Sequence, residues 1–174
     1  MAQLSIINEN KSTENIEQIQ SYLKTENIEF GQFTLNDLSI QKASQDTLSD
    51  NERNSIIESY PDIINKYRKY FDYRADMICL YSEFKHLDFV LEKFKDVHYH
   101  YENEHWYYID GSSGFGFLGL DGRKFTVEVN AGEYITVPEG KWQWVIPPKN
   151  NRMKAIRFFS CTRSIPKPKE LQLN

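Results

Sequence analysis

From Val97 to Phe159 the chain is a succession of short alternating apolar segments, each closed by a turn signal, and few folds can absorb such a pattern. Asp110-Gly111 and Asp121-Gly122 are hairpin dipeptides. The second lies between two alternating segments, Phe115 to Leu120 and Lys124 to Val129. Ala131-Gly132-Glu133 precedes a strand over Tyr134 to Val137, and Pro138-Glu139-Gly140 turns the chain before Trp142 to Ile146. Lys154 to Phe159 closes the series. Roughly five to seven strands at this spacing predict an antiparallel sandwich or barrel.

The first 95 residues read differently, alternating helical and strand patterns. Leu4 to Ile7 is a short strand. Ser12 or Thr13 is placed to cap a helix with Ile16, Ile19, Tyr22 and Leu23 on one face, ending near Asn27. Ile28 to Leu35 reads as a strand, and Thr47 to Tyr70 as helix that Pro61 breaks or restarts at a first turn. Asp76 to Tyr81 has the composition of a buried strand, and His86 to Phe94 that of a short helix. The fold expected is mainly β with N-terminal α+β elements, in one domain spanning residues 1–174. Its parts are an N-terminal helix/strand part (1–95), a barrel core (96–163) and a loose, Pro- and Lys-containing tail (164–174).

A net charge of −4 gives no basic surface for nucleic acid. No apolar run reaches membrane-spanning length, and the N-terminal segment lacks a secretion signal. Cys79 and Cys161 sit in apolar stretches and read as reduced core thiols. A cytoplasmic protein is expected.

The chemistry concentrates in His98-Tyr99-His100-Tyr101-Glu102-Asn103-Glu104-His105. Two imidazoles at i, i+2 point to one side of an extended backbone, and a carboxylate a few residues later can close a third corner around one metal ion. Two histidines and one carboxylate leave coordination positions open, the arrangement non-haem iron uses for oxygen and substrate. Glu102 shares the parity of Glu104 and is a rival ligand; His105 should face away.

These residues resemble the acireductone dioxygenases of the cupin superfamily. The resemblance spans nearly the whole chain, through His98-X-His100-X3-Glu104, Tyr107, Asp110-Gly111-Ser112-Ser113-Gly114, the stretch Ala131-Gly132-Glu133-Tyr134 to Val137-Pro138-Glu139-Gly140, and Met153 to Phe159. It implies a cupin jelly-roll β-barrel that binds one Fe(II) or Ni(II) per chain, acts on a small molecule with O2 and is a monomer. His98, His100 and Glu104 would be metal ligands, Glu104 being the register the family favours over Glu102. The family's fourth ligand, a histidine, falls on Gln143, which could ligate, hydrogen-bond a water or simply fill the barrel. A family arginine falls on Trp106, which supplies a flat apolar surface and one N–H donor but no charge.

Glu104 and Trp106 are therefore the candidate catalytic residues, with Trp106, Tyr108, Trp142 and Arg157 candidate substrate contacts. The leading expectation is a metal-dependent, dioxygenase-like oxidoreductase acting on a small organic substrate other than acireductone. The alternatives are a genuine acireductone dioxygenase of methionine salvage, a non-oxidative cupin lyase or isomerase, and a cupin that binds a ligand without catalysis.

Overall fold

One long strand organises the molecule. In a computed structural model, which describes residues 1–69, 73–82, 92, 95–148, 150–160 and 167–168, strand β6 runs without a break from Glu104 to Leu118. Its first half pairs antiparallel with β8 (Glu133–Val137) and β10 (Met153–Ser160). Its second half pairs with β7 (Lys124–Asn130) and β9 (Gln143–Ile146). β6 therefore belongs to both walls of a barrel. One wall continues through β10 to β4 (Tyr73–Leu80) and through β8 to β3 (Glu29–Gln32). The other continues through β7 to β1 (Gln3–Ile6) and β2 (Lys11–Thr13), and through β9 to β5 (His98–Tyr99) and β11 (Lys167–Pro168).

The switch between walls happens at Asp110-Gly111, so this dipeptide is not the hairpin its composition suggests. Gly111 has φ +68°, and the register of β6 against β10 slips between Lys154 and Ala155, which pair with Asp110 and Tyr108. The extra residue is a bulge, and a bulge inverts which side chains face inward. Before it the even positions Trp106 and Tyr108 pack into the barrel core; after it the odd positions Phe115 and Phe117 do. A Cβ at Gly111 would collide with the Arg152 carbonyl, so glycine is needed both for the dihedral and for the space. Asp121-Gly122, by contrast, is the hairpin expected, with Gly122 at φ +83° and Leu118 paired with Lys124.

The first helix packs into the barrel-core cluster, and the later ones cover the outer face of one wall. Helix α1 (Ile16–Thr25) buries Ile19 and Leu23, as its spacing predicts, but Asn15 caps it, accepting from the Gln18 N–H at 3.0 Å. Ser12 and Thr13 lie in β2 instead. The expected helix over 47–70 is two, α3 (Asp50–Glu58), with a Ser49/Glu52 capping box, and α4, which starts at Pro61 (Pro61–Arg68). A short helix α2 (Asp37–Ala43) was not foreseen. Ala43, Ile56 and Tyr67 from α2, α3 and α4, with Tyr60 just before α4, meet Tyr107, Ile109, Ile156 and Phe158 from the outer face of the sheet.

The helix expected over His86 to Phe94 lies, apart from Glu92, outside the described residues, as does Cys161. Within the tail expected to be loose, Lys167–Pro168 pairs with Tyr99 and His98 of β5. No helix among the described residues is long and apolar enough to cross a membrane.

Candidate metal centre and substrate cavity

The motif His98 to Glu104 is not one strand. β5 ends at Tyr99, the chain bends through residues 100–103, and β6 begins at Glu104. The bend is held from across the barrel end: the Gly140 N–H donates to the His100 carbonyl at 2.8 Å, and the Glu139 N–H to Asn103 Oδ1 at 3.0 Å. Glu104 is thereby brought beside His100, with Oε2 3.5 Å from Nε2. The rings of His98 and His100 lie 5.2 Å apart, nearly perpendicular. Glu102 sits in the bend and does not line the cavity that His98, His100 and Glu104 share.

That cavity has a volume of about 110 Å³ and a predominantly apolar wall. Gln143 enters it from β9, where it pairs directly with His98 on β5. Its Nε2 donates to Glu104 Oε2 at 2.6 Å, while its Oε1 is buried without a hydrogen-bond partner. Inside a protein an unpaired amide oxygen is costly, so this atom marks a position where a donor or a cation fits. His98 shares a 2.7 Å hydrogen bond between Nδ1 and the Asp96 carbonyl. A carbonyl can only accept, so Nδ1 carries the proton and Nε2 the lone pair. Burial lowers the pKa of His98, with the Asp96 contact opposing, which favours the neutral imidazole that metals require.

Two imidazoles, one carboxylate and one unpaired amide oxygen thus line one cavity, and these are donor types that could hold a metal ion. Among the described residues, no group of three His, Cys, Asp or Glu side chains is arranged to hold a metal ion. The fit rests on the shared cavity, the His100–Glu104 approach and the unpaired oxygen.

Three expected substrate contacts line the same cavity. Trp106 and Tyr108 point inward with Glu104, two residues apart along β6. The Trp106 indole Nε1 is buried and, like Gln143 Oε1, has no partner. The Tyr108 hydroxyl is 2.6 Å from Ser113 Oγ, and full burial pushes its pKa up, keeping the phenol neutral. Arg157 stands in a row across the sheet, paired with Asp76 of β4 on one side and Trp106 on the other. Its Nε and Nη2 donate to the two Asp76 oxygens at 3.2 and 2.7 Å, and its guanidinium lies 5.4 Å from the Trp106 ring centre.

Trp142 is not brought to this cavity. Gln143 faces inward, so strand alternation sends its neighbours outward. Trp142 packs edge-to-face on Tyr99 at 4.7 Å, and Trp144 covers Gly116, where any Cβ would overlap its ring.

His105 faces away from the centre, as expected. It lies 2.7 Å from the Tyr73 hydroxyl and 2.9 Å from Thr136 Oγ1, against the Tyr67 ring at 4.4 Å. Burial, assisted by Lys66, lowers its pKa to about 4.

The sequence reading missed Ser113, Phe115, Val145 and Met153 as wall residues. Val145 was within reach, since it shares the parity of Gln143. Ser113 and Phe115 were hidden by the parity inversion at Gly111.

Comparison with known proteins agrees with this architecture. The sequence pattern of the ARD/ARD' family matches residues 6–165. An acireductone dioxygenase of Microcystis aeruginosa is 33% identical over 128 residues, covering 73% of this chain and 70% of that protein. That of Leptospira biflexa is 28% identical over 156 residues, 89% and 88% of the two chains. Among solved structures, the acireductone dioxygenase from Bacillus anthracis with cadmium ion in its active centre superimposes with a TM-score of 0.87 at 25% identity, covering 96% of this chain and 98% of that one. The curled antiparallel sheet around an acidic and imidazole-lined cavity is a cupin jelly-roll barrel, and the chain belongs to the ARD/ARD' family.

Proposed function

We propose that the chain is a metal-dependent dioxygenase that holds one Fe(II) or Ni(II) through His98, His100 and Glu104, with Gln143 Oε1 as the fourth donor. Its substrate is a small organic molecule less anionic than acireductone. The observation that carries the reading is the buried, unpaired Gln143 oxygen on the cavity that both histidines and Glu104 line. When bound, Fe(II) would supply oxygen activation and Ni(II) Lewis acidity towards an electron-rich substrate.

The chain's own residues do the rest. The Asp96 carbonyl holds the His98 ring in the tautomer with its lone pair on Nε2. The Gln143 amide holds the Glu104 carboxylate in one orientation by a charge-assisted hydrogen bond. Ile78, Leu80, Val145 and Met153 exclude bulk water, which lengthens the life of any reactive species formed inside and strengthens the electrostatics there. Trp106 and Tyr108 orient the substrate over the ligand side of the barrel, and the Asp76–Arg157 pair braces the Trp106 ring. Glu104 and Trp106 stand two residues apart on one strand face, so substrate and centre are placed by the same rigid element.

Substitution of either histidine tests this directly. His98→Ala and His100→Ala should each abolish stoichiometric metal uptake, measured by elemental analysis, while circular dichroism shows the barrel folded. Wild-type protein that cannot be loaded with Fe(II), Ni(II) or Cd(II) would refute the proposal.

A second reading, in which acireductone itself is the substrate, is favoured by the match to relatives so named over about nine-tenths of the chain. It requires enediol turnover by the Fe(II)- or Ni(II)-loaded protein at the level of an authentic relative. The leading reading requires that this turnover be much weaker.

A further inference from the structure

We propose that the buried ion pair between Lys141 and Glu26 is a positioning device for the metal centre. It pins the turn over 138–141, and through that turn it holds the His100 bend and Gln143 in register with His98 and Glu104. The role rests on the proposed metal centre in one respect, that His100 and Gln143 are its donors. The hold on the bend is a property of the metal-free chain.

Both charges of the pair are buried, with side chains 7% and 6% exposed, and Lys141 Nζ donates to Glu26 Oε2 at 2.6 Å. Glu26 closes helix α1, and the same Oε2 accepts from the Leu120 N–H at 2.9 Å. One carboxylate oxygen thus joins the end of a helix, the Asp121-Gly122 hairpin and the turn before β9. The ammonium also lies 5.8 Å from the centre of the Phe125 ring. A buried ion pair adds little net stability over apolar side chains of similar volume, and its best-attested use is to fix register.

The backbone around Lys141 sets what is fixed. Its N–H donates to the Pro138 carbonyl at 3.3 Å, and Gly140 has φ +72°, which together close a type II turn. Both central amides of this turn point at the ligand bend, Gly140 N–H to the His100 carbonyl at 2.8 Å and Glu139 N–H to Asn103 Oδ1 at 3.0 Å. Two residues beyond Lys141, Gln143 enters the cavity paired with His98. Lys141 therefore stands between the attachment to His100 and the attachment to His98. Without its anchor the turn is free to slide as one body, carrying the His100 carbonyl and Gln143 with it. Losing a group that orients metal ligands costs about 10–100-fold in affinity.

The test variant is E26Q/K141M, which removes both charges, keeps the volume and leaves no lone ion buried. Hydrogen exchange of the ¹⁵N-labelled, metal-free chain reads the Gly140 amide directly. That amide should exchange at least about tenfold faster in the variant, while those of Val127 and Ile135 in the barrel keep their wild-type rates. Ni(II) affinity, measured by isothermal titration, should fall at least about tenfold. I56V loosens the helix layer over the other wall and should leave both readouts at wild-type values, although it lowers the urea midpoint. E26D, still charged but shorter by one methylene, should move both readouts in the same direction as the double variant, and it serves if the double variant does not fold.

Unchanged Gly140 exchange or unchanged Ni(II) affinity in E26Q/K141M, equal changes in I56V, or wild-type exchange in E26D would each overturn the positioning role. A wild-type chain that takes up no Ni(II) would instead refute the metal centre, and Gly140 exchange in the metal-free variants would still decide whether the pair holds the His100 bend.

Discussion

Replacing Gln143 by histidine separates a metal-donor position from an ordinary barrel position. The two side chains are similar in volume, and position 143 is buried between His98 and Phe117, its neighbours on the adjacent strands. In the metal-free protein Gln143→His removes a 2.6 Å donor to a buried carboxylate, a bond worth about 1.5–3 kcal/mol. It also removes an unpaired buried oxygen whose burial costs about 1–3 kcal/mol. The two effects nearly cancel, so metal-free stability should change by no more than about 1 kcal/mol.

With metal the balance differs, because an imidazole nitrogen is a better donor to Fe(II) or Ni(II) than a carboxamide oxygen. Affinity should rise at least about tenfold, which is about 1.4 kcal/mol. At saturating metal the same increment appears as added stability by mass action. Isothermal titration with Ni(II), paired with urea melts with and without the ion, measures both numbers. Unchanged or weaker Ni(II) affinity in a variant whose metal-free stability is intact would refute the assignment of Gln143 Oε1 as a donor.

His105 should make stability depend on pH. Its folded pKa, about 4, lies below the ordinary 6.5, so the unfolded chain takes up a proton first. The stabilisation is complete above pH 6.5, is lost as pH falls from there to about 4, and amounts to roughly 3 kcal/mol. Urea midpoints across this window should show a steeper fall for wild type than for His105→Gln, and parallel curves would contradict the assignment. Lys154 is fully buried, 3.3 Å from Asp110 Oδ2, which also accepts from Arg152 Nε at 2.7 Å. Asp110→Asn should destabilise the fold by about 3–5 kcal/mol, because it strands a buried ammonium, whereas Lys154→Met should change stability by about 1 kcal/mol or less. Denaturation of both variants checks this, and equal losses would show that packing rather than charge governs the site.

Strand positions and ligand candidates were readable along the chain because alternation is a local property. His98, His100 and Glu104 could be grouped from spacing, and the resemblance placed Gln143 and Trp106 beside them; all five do line one cavity. Even the outward direction of His105 followed from parity. Trp142 does not reach the cavity: aromatic character says nothing about which way a side chain faces, and Gln143, the next residue, takes the inward direction.

Local order in the amino-acid chain was sufficient for the strand-rich class, the Asp121-Gly122 hairpin and the grouping of His98, His100 and Glu104, since each depends on neighbours a few positions apart. Whether Asp110-Gly111 turns the chain back or merely bulges depends on the strands beside it. β10 and β8 hold β6 in one wall, β7 and β9 hold it in the other, and the chain passes straight through. That long-range pairing inverts the inward face, brings Phe115 against Trp106 and Ser113 against Tyr108, and sets Asp76 beside Arg157. Cavity shape and charge balance come from residues far apart in sequence, so they exist only once the two walls have closed.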